Sequence, residues 1–152
     1  MKLFDILKKD AVIGELSSSD KKSVLEELSS LISGLYSQLS AEEILRVLLE
    51  REKLGSTGVG NGVAIPHGKI AGLDQIVCVF ARSRKGIDFQ AHDNKPANLF
   101  FVLLAPENAV GNHLQALARL SRLLKHDTTR MKLVEIQNNE LYDYLVREDE
   151  KL

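Results

Sequence analysis

A histidine near the middle of the chain ends a stretch that is unusually rich in glycine. Residues 55–68 have the sequence GSTGVGNGVAIPHG and contain five of the ten glycines in the protein. Glycine permits positive φ angles and close backbone approach, so this density is typical of a loop folded around a ligand or a partner. Pro66 fixes a backbone angle just before His67, and Gly68 leaves no side chain behind it. The pattern predicts an imidazole held on a constrained turn with little bulk around it.

The chemistry that suits such an imidazole is attack on phosphorus. Histidine attacks through a neutral ring nitrogen, and its ordinary pKa of about 6.5 leaves it largely neutral at cellular pH. A phosphoryl group needs hydrogen-bond donors, which the backbone of the loop and the hydroxyls of Ser56 and Thr57 can supply. We interpret His67 as a nucleophile that carries a phosphoryl group. The alternative is that residues 55–68 only connect a helix to a strand.

Two further residues can serve the same site. His113 is predicted in the first turn of a helix, where unpaired N–H groups favour an anion, and it could hold phosphoryl oxygens or orient His67. A histidine that merely lies near a helix start explains the pattern equally well. Arg51 lies on the inward side of another predicted helix and could bind phosphate through two donors. Its alternative is a salt bridge with Glu43, Glu50 or Glu52.

Other sites are disfavoured by spacing. The loop lacks the glycine spacing of a P-loop and of a dinucleotide-binding turn. A zinc site on His67 and His113 would lack a third ligand, and His92 and His126 are assigned to ordinary surface roles. We therefore expect no metal and no cofactor. With 20 Lys and Arg against 21 Asp and Glu, the net charge of −1 gives no ground to propose nucleic acid.

Location is predicted from cysteine use and apolar runs. Cys78 is the only cysteine, so no disulfide forms within the chain and a reducing compartment is expected. Residues 1–9 lack the apolar core of a signal peptide. The longest apolar run, residues 99–105, is far shorter than the roughly 20 residues needed to span a bilayer. We expect a cytoplasmic protein without membrane insertion.

Hydrophobic periodicity predicts one α/β domain over residues 1–152, a sheet covered by helices on both faces. Strands are predicted at residues 11–16, 63–65, 75–81 and 98–105, with a short edge strand at 86–89. Helices are predicted after N-caps at residues 17–20 and at Ser40, the latter ending near Gly55, and then after Asn112, over 128–136 and over 139–146 with Asn138 or Asn139 as its cap. The helix after Asn112 is expected to bury Leu114, Leu117, Ala118, Ser121 and Leu124.

The run from Arg51 to Gly68 closely resembles the active-site signature of enzyme IIA proteins of the fructose/mannitol superfamily in the bacterial phosphotransferase system (PTS). The sequence of the loop is most similar to that of the nitrogen-related branch, IIA-Ntr. Residues 86–89, 99–106 and 111–114 match in order as well, so the resemblance extends over nearly the whole chain. It implies a single EIIA type 2 domain with a mixed β-sheet and helices on both faces.

The resemblance also implies roles for residues. His67 would be the phosphorylated histidine, in the tele form, and His113 and Arg51 would complete the catalytic site. Ser56, Thr57, Asn61 and Gly68 would bind phosphate or support the loop; at the position of Asn61 some sugar-specific relatives have a carboxylate.

The implied phosphoryl donor is a histidine phosphocarrier protein of the HPr/NPr type. Apolar residues around the loop are expected to form its docking patch, with Val59 and Ile65 as candidates and the core as the alternative place for Ile65.

Two functions follow from the resemblance. The chain is expected to regulate target proteins in potassium, nitrogen or carbon control according to its phosphorylation state. The alternative is a fructose- or mannitol-type component that passes phosphate to a IIB protein for sugar uptake. A third interpretation is a binding module that is never phosphorylated. The loop sequence favours the regulatory function, and the chain has no IIB-like cysteine motif.

Overall fold

The computed structural model describes all residues, 1–152. The strands are β1 (Leu7–Ile13), β2 (Gly58–Gly60), β3 (Val63–Ala64), β4 (His67–Lys69), β5 (Val77–Ile87) and β6 (Ala97–Ala105). The helices are α1 (Lys21–Leu35), α2 (Ala41–Lys53), α3 (Val110–Leu123), α4 (Asp127–Glu135) and α5 (Leu141–Glu150), with short 3-10 turns at Leu3–Asp5 and Asn138–Glu140.

The six strands form one mixed sheet, as the sequence resemblance implied. Its order is β1-β5-β6-β3-β2, and β4 also pairs with β6. Strands β1 and β5 are parallel, β5 and β6 antiparallel, β6 parallel to both β3 and β4, and β2 and β3 antiparallel. Because β5 and β6 are buried at odd and even positions alike, both faces of the sheet are covered. The predicted α/β fold with helices on both faces is confirmed.

The segment that carries His67 runs along one edge of β6. Val63 lies opposite Leu99, and His67 lies opposite Leu103. Pro66 lies between β3 and β4, which each pair with β6, and its carbonyl accepts a hydrogen bond from the N–H of Leu103 at 3.0 Å. Proline has no N–H to leave unpaired, so it is tolerated on such an edge. The edge therefore places the imidazole at a fixed register beside the central strand.

Both early N-caps are confirmed: Asp20 and Ser40 accept hydrogen bonds from the backbone N–H groups of Ser23 and Glu43. The predicted cap at Asn112 is wrong, because α3 begins at Val110 after Ala109. No side chain caps α5, which is preceded by a 3-10 turn instead of an asparagine cap. The predicted strand at 86–89 is also wrong, since β5 continues past an irregularity to Ile87.

The buried face of α3 also differs from the prediction. It consists of His113, Ala116, Leu120 and Leu123. Of the predicted stripe, Leu124 is buried and Leu117 packs half-buried against the core, whereas Leu114 is 62% exposed and the remaining two residues are exposed as well. The predicted stripe is shifted by one position along the sequence from the buried one. Both stripes satisfy helical spacing, so periodicity could not choose between them. The face that is used presents the small Ala116 to its neighbours and turns His113 inward.

Strand β4 packs closely against α2, the helix that carries Arg51. A Cβ atom placed on Gly68 would lie 2.4 Å from Cγ1 of Val47, well inside van der Waals contact. Val47 is 8% exposed and has little room to move aside. The absent side chain at Gly68 therefore sets how near the imidazole on β4 comes to the guanidinium on α2.

We expect the substitution Gly68→Ala to lower the free energy of unfolding by about 1–3 kcal/mol, the usual cost of overpacking a core contact. The measurement is the denaturant midpoint by circular dichroism. Gly34→Ala is the matched control, because Gly34 lies in α1 with no atom within 4 Å of the added methyl group; it should raise stability by about 0.5–1 kcal/mol. Adding Val47→Ala to Gly68→Ala should restore part of the loss. An unchanged midpoint for Gly68→Ala would show that the close contact does not constrain the fold.

Candidate active site

Three side chains from separate elements meet at the end of the glycine-rich loop. Arg51 comes from the last turn of α2, His67 is the first residue of β4, and His113 lies in the first turn of α3. Arg51 Nε lies 3.3 Å from His67 Nε2. The two imidazole centroids are 5.2 Å apart with their planes at 89°. The fold therefore brings together the three residues that the sequence singled out.

The hydrogen bonds of His67 define its tautomer. Nδ1 lies 2.7 Å from the carbonyl oxygen of Ile65. A carbonyl oxygen can only accept, so Nδ1 is the nitrogen that carries the proton. Nε2 then holds a lone pair in the ring plane and accepts the N–H of Arg51. His67 is partly exposed, so its ring is reached from solvent.

Arg51 is committed to the site and makes no salt bridge. Besides His67, it donates from Nη1 to the carbonyl oxygen of Gly55 at 2.9 Å. The alternative of a carboxylate partner on its own helix is wrong. The three acidic residues in question pair with other cations, Glu43 and Glu50 with Arg46 and Glu52 with Lys21.

His113 is 9% exposed, and its Nε2 atom is buried without a hydrogen-bond partner. Its backbone N–H is bonded to the carbonyl of Ala109 at 3.2 Å, while no side chain caps the first turn of α3. The uncapped helix start favours an acceptor-rich ligand, and Nε2 of His113 adds a donor in the tautomer that carries its proton there. No group of three or more His, Cys, Asp and Glu side chains that could hold a metal ion is present.

Burial lowers the pKa of both imidazoles below the ordinary value for histidine. For His67, burial is the main cause, the carbonyl of Ile65 acts in the opposite direction, and the charge of Arg51 lowers the pKa further. For His113, burial again leads, and the nearby His67 and Lys69 add to it. Both rings are therefore neutral at cellular pH, the state that a nucleophilic nitrogen requires.

The remaining candidate residues shape the loop. Ser56 donates to the carbonyl of Phe89 at 2.6 Å, and the Thr57 hydroxyl bonds to Glu52. Asn61 turns the chain between β2 and β3 with a φ of 56°, and its N–H donates to Asp93 at 2.9 Å. The hydroxyls of Ser56 and Thr57 are thus engaged within the protein. Of the two docking candidates, Val59 is 50% exposed and Ile65 is buried in the core.

The sequence did not reveal two groups that shape the site around His67. The carbonyl of Ile65 selects the tautomer of His67, but a backbone oxygen leaves no trace in residue types. Glu52 was considered only as a partner for Arg51, whereas it binds Thr57 and Lys21. A carboxylate near a helix end, followed by a Gly-Ser-Thr turn, was the available signal for a loop-bracing residue.

The model of the family described as "Phosphoenolpyruvate-dependent sugar phosphotransferase system, EIIA 2" matches residues 5–147. The chain belongs to this EIIA family. Membership of this family implies phosphoryl transfer through a histidine.

Similar proteins include regulators and a sugar transporter component. The chain is 44% identical over 133 residues to a protein named nitrogen regulatory protein from Bradyrhizobium diazoefficiens, covering 88% of this chain and 86% of that one. It is 32% identical over 151 residues to the fructose-specific EIIABC component of Bacillus subtilis, covering 99% of this chain and 24% of that protein. The crystal structure of nitrogen regulatory protein IIA-Ntr from Neisseria meningitidis superposes with a TM-score of 0.86 at 39% identity. The match covers 93% of this chain and 97% of that one.

None of the helices combines the length and apolarity needed to cross a bilayer.

The lowered histidine pKa values predict a pH dependence of stability. In the unfolded state these histidines bind protons near pH 6.5, whereas in the folded state they bind them only at lower pH. Their contribution to stability is therefore complete above about pH 6.5 and is lost as the pH falls toward the folded pKa values. We expect the denaturant midpoint to fall more between about pH 7 and about pH 5 in the native protein than in His67→Gln/His113→Gln. Ring titration by NMR checks the cause. Titration of both rings at or above the ordinary histidine pKa would contradict the prediction.

Proposed function

We propose that this EIIA protein accepts a phosphoryl group on Nε2 of His67 from a histidine phosphocarrier of the HPr/NPr type, and that its phosphorylation state regulates target proteins. The observation that carries the proposal is the pair of bonds on His67. The carbonyl oxygen of Ile65 accepts a hydrogen bond from the Nδ1–H of His67, and the lone pair of Nε2 points at the Arg51 guanidinium.

The transfer needs no net movement of protons. A bond forms between phosphorus and Nε2 of His67 while the bond between phosphorus and the donor nitrogen breaks, and the donor leaves as a neutral imidazole. The Nδ1 proton of His67 stays in place. The ring becomes more positive as the new bond forms, so the hydrogen bond to the Ile65 carbonyl becomes stronger. Positioning and charge stabilisation then provide most of the catalysis, as in other phosphoryl transfers through loose transition states.

Arg51 and His113 would stabilise the charge that arrives. The hydrogen bond from Arg51 to Nε2 of His67 breaks when phosphorus bonds to that nitrogen. The guanidinium can then donate two parallel hydrogen bonds to the phosphoryl oxygens. His113 Nε2 has no other partner, and the centroid of its ring lies 5.2 Å from that of His67. The first N–H groups of α3 add donors that no side chain occupies.

The donor is a protein, so the surface around His67 has to accept one. Leu54 at the end of α2 is 84% exposed, and Val110 and Leu114 on α3 are 53% and 62% exposed. Val110 and Leu114 are four residues apart, so they share one face of α3. His113 lies between them in the sequence. Exposed apolar side chains on the two helices that carry Arg51 and His113 support docking at this face.

The regulatory function is preferred over sugar uptake. The relatives from Bradyrhizobium and Neisseria are named nitrogen regulatory proteins and match most of their own length. Cys78 is buried and its thiol pKa is strongly raised by burial, so this chain offers no thiolate acceptor of its own. The match to a fructose-specific EIIABC component keeps sugar uptake as the second candidate, with a separate IIB protein as acceptor.

We expect His67→Ala to abolish labelling by a phosphorylated HPr/NPr-type carrier, because the only proposed acceptor nitrogen is removed. Labelling is measured with radioactive phosphate, and circular dichroism checks that the variant is folded. His126→Ala is the matched control, since His126 is exposed and its side chain makes no capping bond at α4. Undiminished labelling of folded His67→Ala would end the assignment.

Onward transfer separates the two candidate functions. The phosphorylated protein is incubated with a phosphate-free fructose-type IIB protein, and the phosphate on each protein is followed with time. A regulator is expected to keep its phosphate, while a sugar component transfers it within seconds. Rapid and complete transfer to IIB would replace the regulatory proposal with the second candidate.

A further inference from the structure

A buried carboxylate lies beside the arginine of the site and has no part in the transfer described above. Glu52 follows Arg51 in the last turn of α2, and its side chain is 6% exposed. Burying a carboxylate is unfavourable unless the charge is paired and hydrogen bonded. The groups that satisfy Glu52 are therefore informative about what it does.

One set of partners lies in the glycine-rich loop. Glu52 accepts a hydrogen bond from the backbone N–H of Thr57 at 3.0 Å through Oε1, and another from the Thr57 hydroxyl through Oε2. Thr57 is 3% exposed. The carboxylate thus bridges the end of α2 and the residue before β2, and it binds both hydrogen-bond donors of Thr57.

Thr57 passes this constraint to the nucleophile through the backbone. Its carbonyl oxygen accepts a hydrogen bond from the N–H of Ile65 at 2.9 Å. The carbonyl oxygen of Ile65 in turn accepts the Nδ1 proton of His67 at 2.7 Å. A continuous path of hydrogen bonds therefore runs from the Glu52 carboxylate to the ring that is phosphorylated.

Lys21 holds the other side of the carboxylate. Its Nζ forms a salt bridge with Oε1 of Glu52 at 2.8 Å, lies 4.8 Å from the ring centroid of Phe89 and donates to Gln90 at 3.3 Å. The ammonium is thus held by three groups while it balances the charge of Glu52. The carboxylate consequently has little freedom to rotate away from Thr57.

We propose that Glu52 is a positioning residue for phosphoryl transfer. Through Thr57 it holds the Ile65 carbonyl against Nδ1 of His67, and so keeps the proton on Nδ1 and the lone pair on Nε2. The inference rests on the proposed role of His67 and specifies what maintains the reactive tautomer of that residue.

The first test is the rate of transfer from a phosphorylated HPr/NPr-type carrier. Glu52→Gln keeps the size of the side chain but removes its charge, and we expect transfer to slow roughly 10- to 100-fold, because a small displacement of a reacting group has effects of that size. Thr57→Val removes one of the two bonds and should slow transfer less than Glu52→Gln does. Thr57→Ser keeps the hydroxyl and should slow transfer less than Thr57→Val. Glu50→Gln is the matched control, since Glu50 lies on the same helix with a 60% exposed side chain paired to Arg46.

The second test reads the tautomer directly in the unphosphorylated protein. Nitrogen-15 NMR of the His67 ring should show the proton on Nδ1 in the native protein and in Thr57→Ser. In Glu52→Gln and Thr57→Val, the population with the proton on Nε2 should rise. Unfolding midpoints check that each variant is folded, and the nearly isosteric Thr57→Val decides the question if Glu52→Gln does not fold.

A native tautomer in the folded variants would overturn the inference even if transfer were slow, because the carboxylate would then act by another route. Native transfer rates in both Glu52→Gln and Thr57→Val would overturn it as well. The NMR result does not depend on phosphorylation. If the native protein were never labelled, the proposed function would fail while the tautomer measurement still decided the role of Glu52.

Discussion

The hydrogen bond between Nδ1 of His67 and the carbonyl of Ile65 is the interaction on which the site depends. It spans two residues across Pro66, so it exists only because the chain turns between β3 and β4 along the edge of β6. A carbonyl accepts and cannot donate, and this asymmetry assigns the proton to one nitrogen and the lone pair to the other. Backbone geometry, without a side-chain base, therefore determines which ring nitrogen of His67 holds the lone pair.

The site also shows what the fold leaves unsatisfied. His113 Nε2 is buried without a partner, and the start of α3 has no side-chain cap. In most folded proteins such groups are paired, so two orphans beside one imidazole are a departure that a ligand can repair. A phosphoryl group brings three acceptor oxygens to that place. The same burial that leaves these groups unpaired also lowers the pKa of His67 and keeps its ring neutral.

Much of this arrangement could be predicted from the sequence, for identifiable reasons. The caps at Asp20 and Ser40, the buried strands and the glycine-rich loop depend on local chemistry, which residue types reveal. The inward face of α3 was mispredicted because Leu114 fits a helical stripe as well as His113 does, and only packing decides between them. The contact between the Ile65 carbonyl and His67 could not be predicted, since it depends on which atoms the turn along β6 brings together. The bonds of Glu52 to Thr57 are local, and the carboxylate before the Gly-Ser-Thr turn was the signal for them.

The chemistry of the site does not by itself separate a regulator from a sugar-transport component. Phosphorylation of His67, as proposed, would add up to about two negative charges beside Arg51. Leu54, Val110 and Leu114 are exposed at the end of α2 and on α3, which carry Arg51 and His113. A partner docked on these side chains would meet an apolar surface with or without a strong anion, which is enough to change its affinity. An acceptor of the phosphate would need the same access to His67. The difference between the two functions must therefore lie in the partner and in what the partner does with the phosphorylated ring.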